Sequence, residues 1–151
     1  MVGYSNPRND EGIARAIGRE LKISPKHSVE ICRAIRGMHV EDAKQYLQDV
    51  IDMKRPVKFR RYNYAISHKK GNGPGRFPVK ACRAILKVVE SAQENAGNPN
   101  KKLNPESMRV LTAAAHRGRV IPGYMPRAHG RSTQWDEQTV NIEIVLEDLE
   151  E

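Results

Sequence analysis

Two segments near the C-terminus have strand character, and the residues between them cannot build a core. Val140, Ile142, Ile144 and Leu146 alternate with Thr139, Asn141, Glu143 and Glu147, the period of a strand with one apolar face. Met108 to His116 also reads as a strand. Between them runs HRGRVIPGYMPRAHGR, His116 to Arg131, with four arginines, two histidines, three glycines, two prolines and no acid. Tight hairpins use about two to five connecting residues. A connection this long either flops or projects as an extended arm, assigned here to residues 117–131. Pro122 and Pro126 stiffen the path and lower the entropy cost of ordering it. Gly118, Gly123 and Gly130 permit sharp turns. The polar face of the Thr139–Glu147 strand is expected to be wet, which implies an antiparallel sheet covered on one side by helices.

The helices are marked by stripes and stops. Ser24-Pro25 starts the first, with a capping hydroxyl followed by proline at the first helical position. Val29, Cys32 and Ile35 form its stripe, and Gly37 can end it. Val40, Ala43, Leu47, Val50 and Ile51 place a second helix at about 40–53, with Glu41 and Asp42 compensating the dipole at its start. Pro78 opens a third, to about Ala96, with Cys82, Ile85, Leu86, Val89, Ala92, Gln93 and Ala96 as its buried face. Lys80, Arg83 and Lys87 crowd its first half and Glu90 and Glu94 its second, the reverse of what the helix dipole prefers. A partner anion near the N-terminal half would resolve that conflict. Ile13 to Ile23 supports two readings. Ile13, Ile17 and Leu21 recur every four residues, as in a helix, while Ile17, Leu21 and Ile23 also alternate with smaller or polar residues, as in a strand. Residues 1–12 read as an irregular arm, and 54–77 as a long basic loop without a sustained period.

The 151 residues suggest one domain with a formal net charge of +8. The charge is segregated. Met53 to Val89 holds eleven Lys/Arg and no acid, Ser107 to Trp135 five Arg and no acid, and Glu143 to Glu151 five acids and no base. Such blocks fit a footprint for a polyanion, RNA first, with residues 147–151 forming an acidic tail. Cys32 and Cys82 sit on apolar helical stripes and read as buried reduced thiols. The N-terminus has no apolar run like a signal peptide, and no segment approaches the roughly eighteen apolar residues of a membrane span. A cytoplasmic protein without membrane contact is expected. The five histidines lack metal-ligand spacing. No cofactor or metal is expected, and no catalytic constellation emerges, so the chain reads as a non-enzyme. GNGPGRF at 71–77 is a flexible turn more readily than a phosphate loop.

Arginine offers a planar fork to phosphate and stacks on bases. The residues assigned to RNA contact are His116, Arg117, Arg119, Arg127, His129, Gly130 and Arg131 in the arm. Lys58, Arg60, Arg61, Tyr62, Lys69, Lys70, Arg76 and Lys80 join them from the basic loop and the helix after it. In Phe59-Arg60-Arg61-Tyr62-Asn63-Tyr64 the rings stack on unpaired bases or dock on the protein's own core. Both readings of Phe59 and Tyr62 stay open.

At this point the residues match a family. SPKHSVEICRAIRGMHVEDAKQYL at 24–47, PVKFRRYN at 56–63, GRFPVKACRAILKVVESAQENA at 75–96 and MPRAHGR at 125–131, followed by QTVNIEIVLED, span nearly the whole chain. They resemble the universal large-subunit ribosomal protein family numbered twenty-two in bacteria and seventeen in the older eukaryotic scheme. Arg127, Ala128, Gly130 and Arg131 sit in its PRAxGR motif, and the insertion at about 54–77 resembles the archaeal and eukaryotic branch. The resemblance implies an α+β fold: a three-stranded antiparallel sheet packed against three helices, with a long protruding β-hairpin. It makes Ile13–Ile23 the third strand. It implies a structural role on large-subunit rRNA, with neighbouring large-subunit proteins as further partners and the protein a monomer within the ribosome. The globular part would lie near the polypeptide exit, and Gly123, Tyr124, Met125 and Arg127 would line the tunnel past which the nascent polypeptide moves. Gly123 to Arg131 would be the hairpin tip and its return limb. The alternative is a free-standing RNA-binding regulator that uses the same basic surface.

Overall fold

The structure is a computed structural model, described here for residues 3–5, 12–98 and 103–148. The chain runs β1 (Ile13–Leu21), α1 (Pro25–Ile35), α2 (Val40–Ile51), β2 (Val57–Lys58), β3 (His68–Lys69), β4 (Gly73–Arg76), α3 (Val79–Ala96), β5 (Met108–Ile121), β6 (Tyr124–Pro126), β7 (Ser132–Gln134) and β8 (Glu137–Asp148). β1, β8 and β5 form an antiparallel sheet in that order, with β8 at the centre. The three helices cover one face, and the fold is the α+β arrangement expected above.

The core follows from the stripes. Val140, Ile142, Ile144 and Leu146 of β8 are buried against Ile31, Cys32 and Ile35 of α1, Leu47 and Val50 of α2, and Cys82, Ile85 and Val89 of α3. Along α3, Ala81 and Val88 are buried, while Leu86 and Gln93, expected in the buried face, are half-exposed. β1 meets α3 through small residues, Ala14, Ala16 and Gly18. A Cβ on Gly18 would stand 2.6 Å from Val88 Cγ2, so α3 rests directly on the strand backbone. Burial pushes the thiols of Cys32 and Cys82 up to about 12, which keeps them protonated and unreactive. Ser24 holds the N-cap position of α1 but its side chain makes no capping bond; instead its carbonyl accepts from the Ser28 hydroxyl at 2.9 Å. Gly37, at φ +81°, turns the chain after α1, and its N–H donates to the Val110 carbonyl of β5 at 2.8 Å.

The second face of β8 is not wet. Thr139, Asn141, Glu143 and Val145 are all buried. β8 is flanked on both edges, and residues 3–5 lie across this face. Ser5 donates from its N–H at 3.1 Å and from its hydroxyl at 2.6 Å to the Glu143 carboxylate. Arg15 lies over the Tyr4 ring, 5.2 Å from its centroid. Asn141 Oδ1 accepts from the Glu20 N–H at 2.8 Å, and Thr139 donates to the Arg119 carbonyl at 2.7 Å. Thr139, Asn141 and Glu143 each have a hydrogen-bond partner, which is what makes their burial tolerable, whereas Arg15 Nη2 is buried without one among the described residues. Residues 1–2 and 6–11 of the expected arm lie outside the described residues. So do 149–151 of the expected acidic tail, whose first members, Glu147 and Asp148, belong to β8.

The basic segment 54–77, read as a loop, contains a small sheet of its own, ordered β2-β4-β3. Two contacts tie it to the body. Phe59 is buried in the core, and the His27 ring meets it edge-on at 5.5 Å. Glu30 on α1 is only 1% exposed, and its Oε1 accepts the N–H groups of Arg61 at 2.7 Å and Tyr62 at 2.9 Å. Glu30→Ala leaves both donors unpaired. It is expected to lower unfolding free energy by about 1.5–3 kcal/mol in denaturant titration, with faster tryptic cleavage between residues 58 and 70.

Candidate nucleic-acid interface

The arm is built from the two long strands themselves. β5 and β8 stay paired outward through His116↔Asn141 and Arg117↔Val140 to Ile121↔Glu137, and β6 and β7 continue through Tyr124↔Gln134 to Pro126↔Ser132. The sixteen residues from His116 are therefore one limb of a ribbon plus its turn, not a loop between two strands. The Arg127 N–H donates to the Arg131 carbonyl at 2.8 Å, and the turn is made by His129 at φ +58° and Gly130 at φ +65°. This places the tip at Ala128–Gly130 and the return limb at 132–136, further along the chain than Gly123–Arg131. Gly118 and Gly123 do not turn the chain. A Cβ on Gly118 would lie 2.5 Å from Thr139 Oγ1, and one on Gly123 would lie 2.5 Å from the Trp135 carbonyl oxygen. They let the two limbs close on each other.

No residue from Ala114 to Gln138 is buried. Along the ribbon, Arg117, Arg119, Arg127 and Arg131 form no ion pair among the described residues. The Arg127 guanidinium donates to the Thr133 hydroxyl, at 3.2 Å. Glu137, at the root of the return limb, is matched by Lys22 at 3.0 Å, which leaves the arginines uncompensated. His116 differs from the others: its Nε2 faces the buried Glu143 carboxylate at 3.3 Å, so one ring nitrogen is already engaged inside the protein. His129 is exposed in the turn. Tyr124 is 75% exposed, Met125 half-buried, and Trp135, which the sequence reading did not single out, 58% exposed. Ser132–Gln134 pairs with Tyr124–Pro126, so Tyr124 and Trp135 present rings on opposite faces of the ribbon.

The insertion forms a second basic surface with α1. Lys58, Arg60, Arg61, Lys69, Lys70 and Arg76 are exposed. A hollow of about 320 Å³ gathers Lys58 and Arg60 with Arg33 of α1 and Arg55. Another, of about 280 Å³, gathers Arg61 and Arg76 with Lys26 of α1 and the rings of Tyr62 and Tyr64. Lys26, Arg33 and Arg55 are basic contributors missed above; the spacing of seven between Lys26 and Arg33 puts them on one helix face. Tyr62 is half-buried with its ring packed toward the core, while Tyr64 is 95% exposed. Burial, aided by the charge of Arg76, holds the His27 imidazole below its ordinary pKa. GNGPGRF is a hairpin turn plus β4: Gly71 and Gly73 have φ of +73° and +74°, and the Asn72 N–H donates to the Lys69 carbonyl at 3.0 Å. Lys80 stands apart from both groups, at the start of α3 beside the root of the return limb. α1 packs against both β2 and β5 and is the element that links the two basic surfaces. Among the described residues no three His, Cys, Asp or Glu side chains cluster as metal ligands, and no helix is long and apolar enough to cross a membrane.

Residues 16–147 match the sequence model of the family described as ribosomal protein L22p/L17e. A relative from Methanosphaera stadtmanae is 50% identical over 143 residues, covering 93% of this chain and 92% of its own. One from Methanothrix thermoacetophila is 52% identical over 139 residues, 90% of each chain. A third, from Methanocaldococcus jannaschii, is 46% identical over 148 residues, 96% of this chain and 94% of its own. All three are named large ribosomal subunit protein uL22.

The contact at the ribbon's root gives a direct check. Gly118→Ala pushes a methyl group against Thr139, whose hydroxyl and carbonyl are both within 3.2 Å of the new atom. A loss of about 1–3 kcal/mol is expected in denaturant unfolding. Wild-type stability would mean that the limbs are not in contact there.

Proposed function

This chain belongs to the ribosomal protein L22p/L17e family, in its archaeal-type branch, and from that premise we propose that it holds large-subunit rRNA by two basic surfaces while its ribbon threads between RNA segments. The role is structural, as in a ribosomal protein of the large subunit, and chemistry on a substrate is no part of it. The observation that carries the reading is the ribbon itself: no residue of 114–138 is fully buried, yet the span carries four arginines without an ion pair among the described residues. A two-stranded ribbon without an apolar face is marginal in water. RNA supplies both the missing packing and the missing counter-charge, because each guanidinium on a phosphate releases condensed counterions.

In this proposal Arg117, Arg119, Arg127, His129, Gly130 and Arg131 contact RNA along the ribbon, with His116 at its root. Lys58, Arg60, Arg61, Tyr62, Lys69, Lys70, Arg76 and Lys80 do so from the insertion and α3. The exposed rings of Tyr64, Tyr124 and Trp135 offer faces on which unpaired bases stack. Gly123, Tyr124, Met125 and Arg127 line the polypeptide tunnel, where the growing chain passes. The body sits near the tunnel exit beside other large-subunit proteins, one copy per subunit, in the cytoplasm.

Two measurements test this. Replacing Arg127 and Arg131 together by Ala is expected to weaken binding to large-subunit rRNA fragments and to reduce the slope of log K against log salt by about one to two. The single tryptophan, Trp135, reports binding through its emission. An unchanged slope would remove those guanidiniums from phosphate. Amide exchange is expected to be fast over 118–130 in the free protein and slowed when rRNA is bound. Strong protection without RNA would mean that the ribbon orders by itself.

A further inference from the structure

A groove of about 700 Å³ runs along β1 and α3; no residue of the ribbon or the insertion lines it, and of the cations assigned to RNA above only Lys80 reaches its rim. Its floor is aliphatic, with Ile17 and Leu21 from β1 and Val88 from α3, and its rim carries Lys80, Arg83 and Lys87. β1 is the outer strand of the sheet, and among the described residues no further strand covers this side. The floor is rigid, since Val88 already rests on Gly18 with no room for a Cβ between them. The rim is unbalanced: none of the three cations has an ion pair among the described residues, and the first turn of α3 holds no acid. Lys80 lies in the first turn of α3, at the positive end of the helix dipole, and Arg83 and Lys87 follow it at intervals of three and four residues along one side of the helix.

RNA would take the cations but not the floor. Both basic surfaces described above pair their cations with exposed rings, Tyr64 on one and Tyr124 and Trp135 on the other. Among the described residues no ring lines this groove. A sugar-phosphate chain has nothing apolar to set into an aliphatic trough, whereas a polypeptide with carboxylates spaced between Leu, Ile, Val or Phe satisfies rim and floor together. Nor is the free edge of β1 suited to strand addition. Its Arg15 carbonyl already accepts from Asn95 Nδ2 at 2.8 Å, and the strand breaks register between Gly18 and Leu21, where Glu20 has φ +50°. The occupant therefore docks by its side chains.

We infer that the β1–α3 groove is the docking site for an acidic segment of a neighbouring large-subunit protein, anchored by apolar side chains. The inference rests on the ribosomal reading above, and its test separates the two. Ser91, an uncharged exposed residue lining the groove, is replaced by p-benzoylphenylalanine in protein assembled into large subunits. After irradiation, the cross-linked product is identified by mass spectrometry. The expected product is one polypeptide segment with net negative charge and apolar residues within it. Arg83→Glu with Lys87→Glu should lower its yield about tenfold or more by setting like charges against each other. Should that pair not enter subunits, Arg83→Gln with Lys87→Gln is read instead, with a smaller loss expected. Cross-links to rRNA, a peptide product indifferent to both charge changes, or no product from assembled subunits would each overturn the inference. Failure of the unmodified protein to sediment with large subunits would instead overturn the ribosomal reading.

Discussion

The structure depends on where β1 stops pairing with β8. From Glu147 back to Val140, β8 is hydrogen-bonded on both edges, by β1 and β5. At Leu21↔Val140 β1 ends, and Pro25 turns the chain away into α1. Beyond that point β8 has β5 alone, and the two run on as a ribbon. Burial changes at the same place: Thr139 and Val140 are buried and Gln138 is exposed. The body and the ribbon thus share two continuous strands, but only the first part of each has a third strand and helices to pack against.

That division sets two kinds of energetics in one chain. The body is held by apolar burial, worth about 25 cal/mol per Å² removed from water, and its few buried charges have named partners. The ribbon has backbone pairing and the side-chain entropy of long arginines, with about 1–2 kcal/mol per residue to fix the backbone and no burial to offset it. Its four unpaired guanidiniums repel one another in the free protein. Both deficits are met by a surface that is densely anionic and contoured, and the ribbon's thinness, enforced by the close approach at Gly118 and Gly123, lets it enter such a surface.

Hydrophobic period found the parts of the chain that face the core and was silent elsewhere. The alternation of β8 and the three helical stripes were legible because each sets an apolar face against a polar one. The outer limbs of the ribbon have two solvent faces, so no period exists to read, and the residues alone gave an extended arm, with only the resemblance making it a β-hairpin. β1 was ambiguous for a structural reason. Ile17 pairs with Glu143 and Leu21 with Val140, which lie on opposite faces of β8, so the bulge between Gly18 and Leu21 reverses the parity of the strand. A four-residue spacing that suits a helix here comes from a strand with a break in it. The polar face of β8 was misjudged because polarity alone implies exposure, and Glu30 was not singled out at all. Their partners, Arg61, Tyr62 and Ser5, are too far away in sequence for any local pattern to announce. The ring of Phe59 could not be assigned from its basic neighbours for the same reason: the core it enters is assembled from α1 and the sheet.

Those long-range polar contacts also explain how two basic surfaces keep a fixed relation. Glu30 holds the insertion to α1, and α1 packs on β5, whose outward continuation is a limb of the ribbon. At the root of that limb, Glu143 faces His116 and holds Ser5 across the sheet. Both carboxylates are almost wholly buried. In a chain with so large an excess of positive charge, a buried carboxylate that accepts several donors is a strong and directional anchor. Val57 and Phe59 add apolar anchorage for the insertion, but apolar packing is non-directional, and the carboxylates fix which backbone donors meet α1 and the sheet.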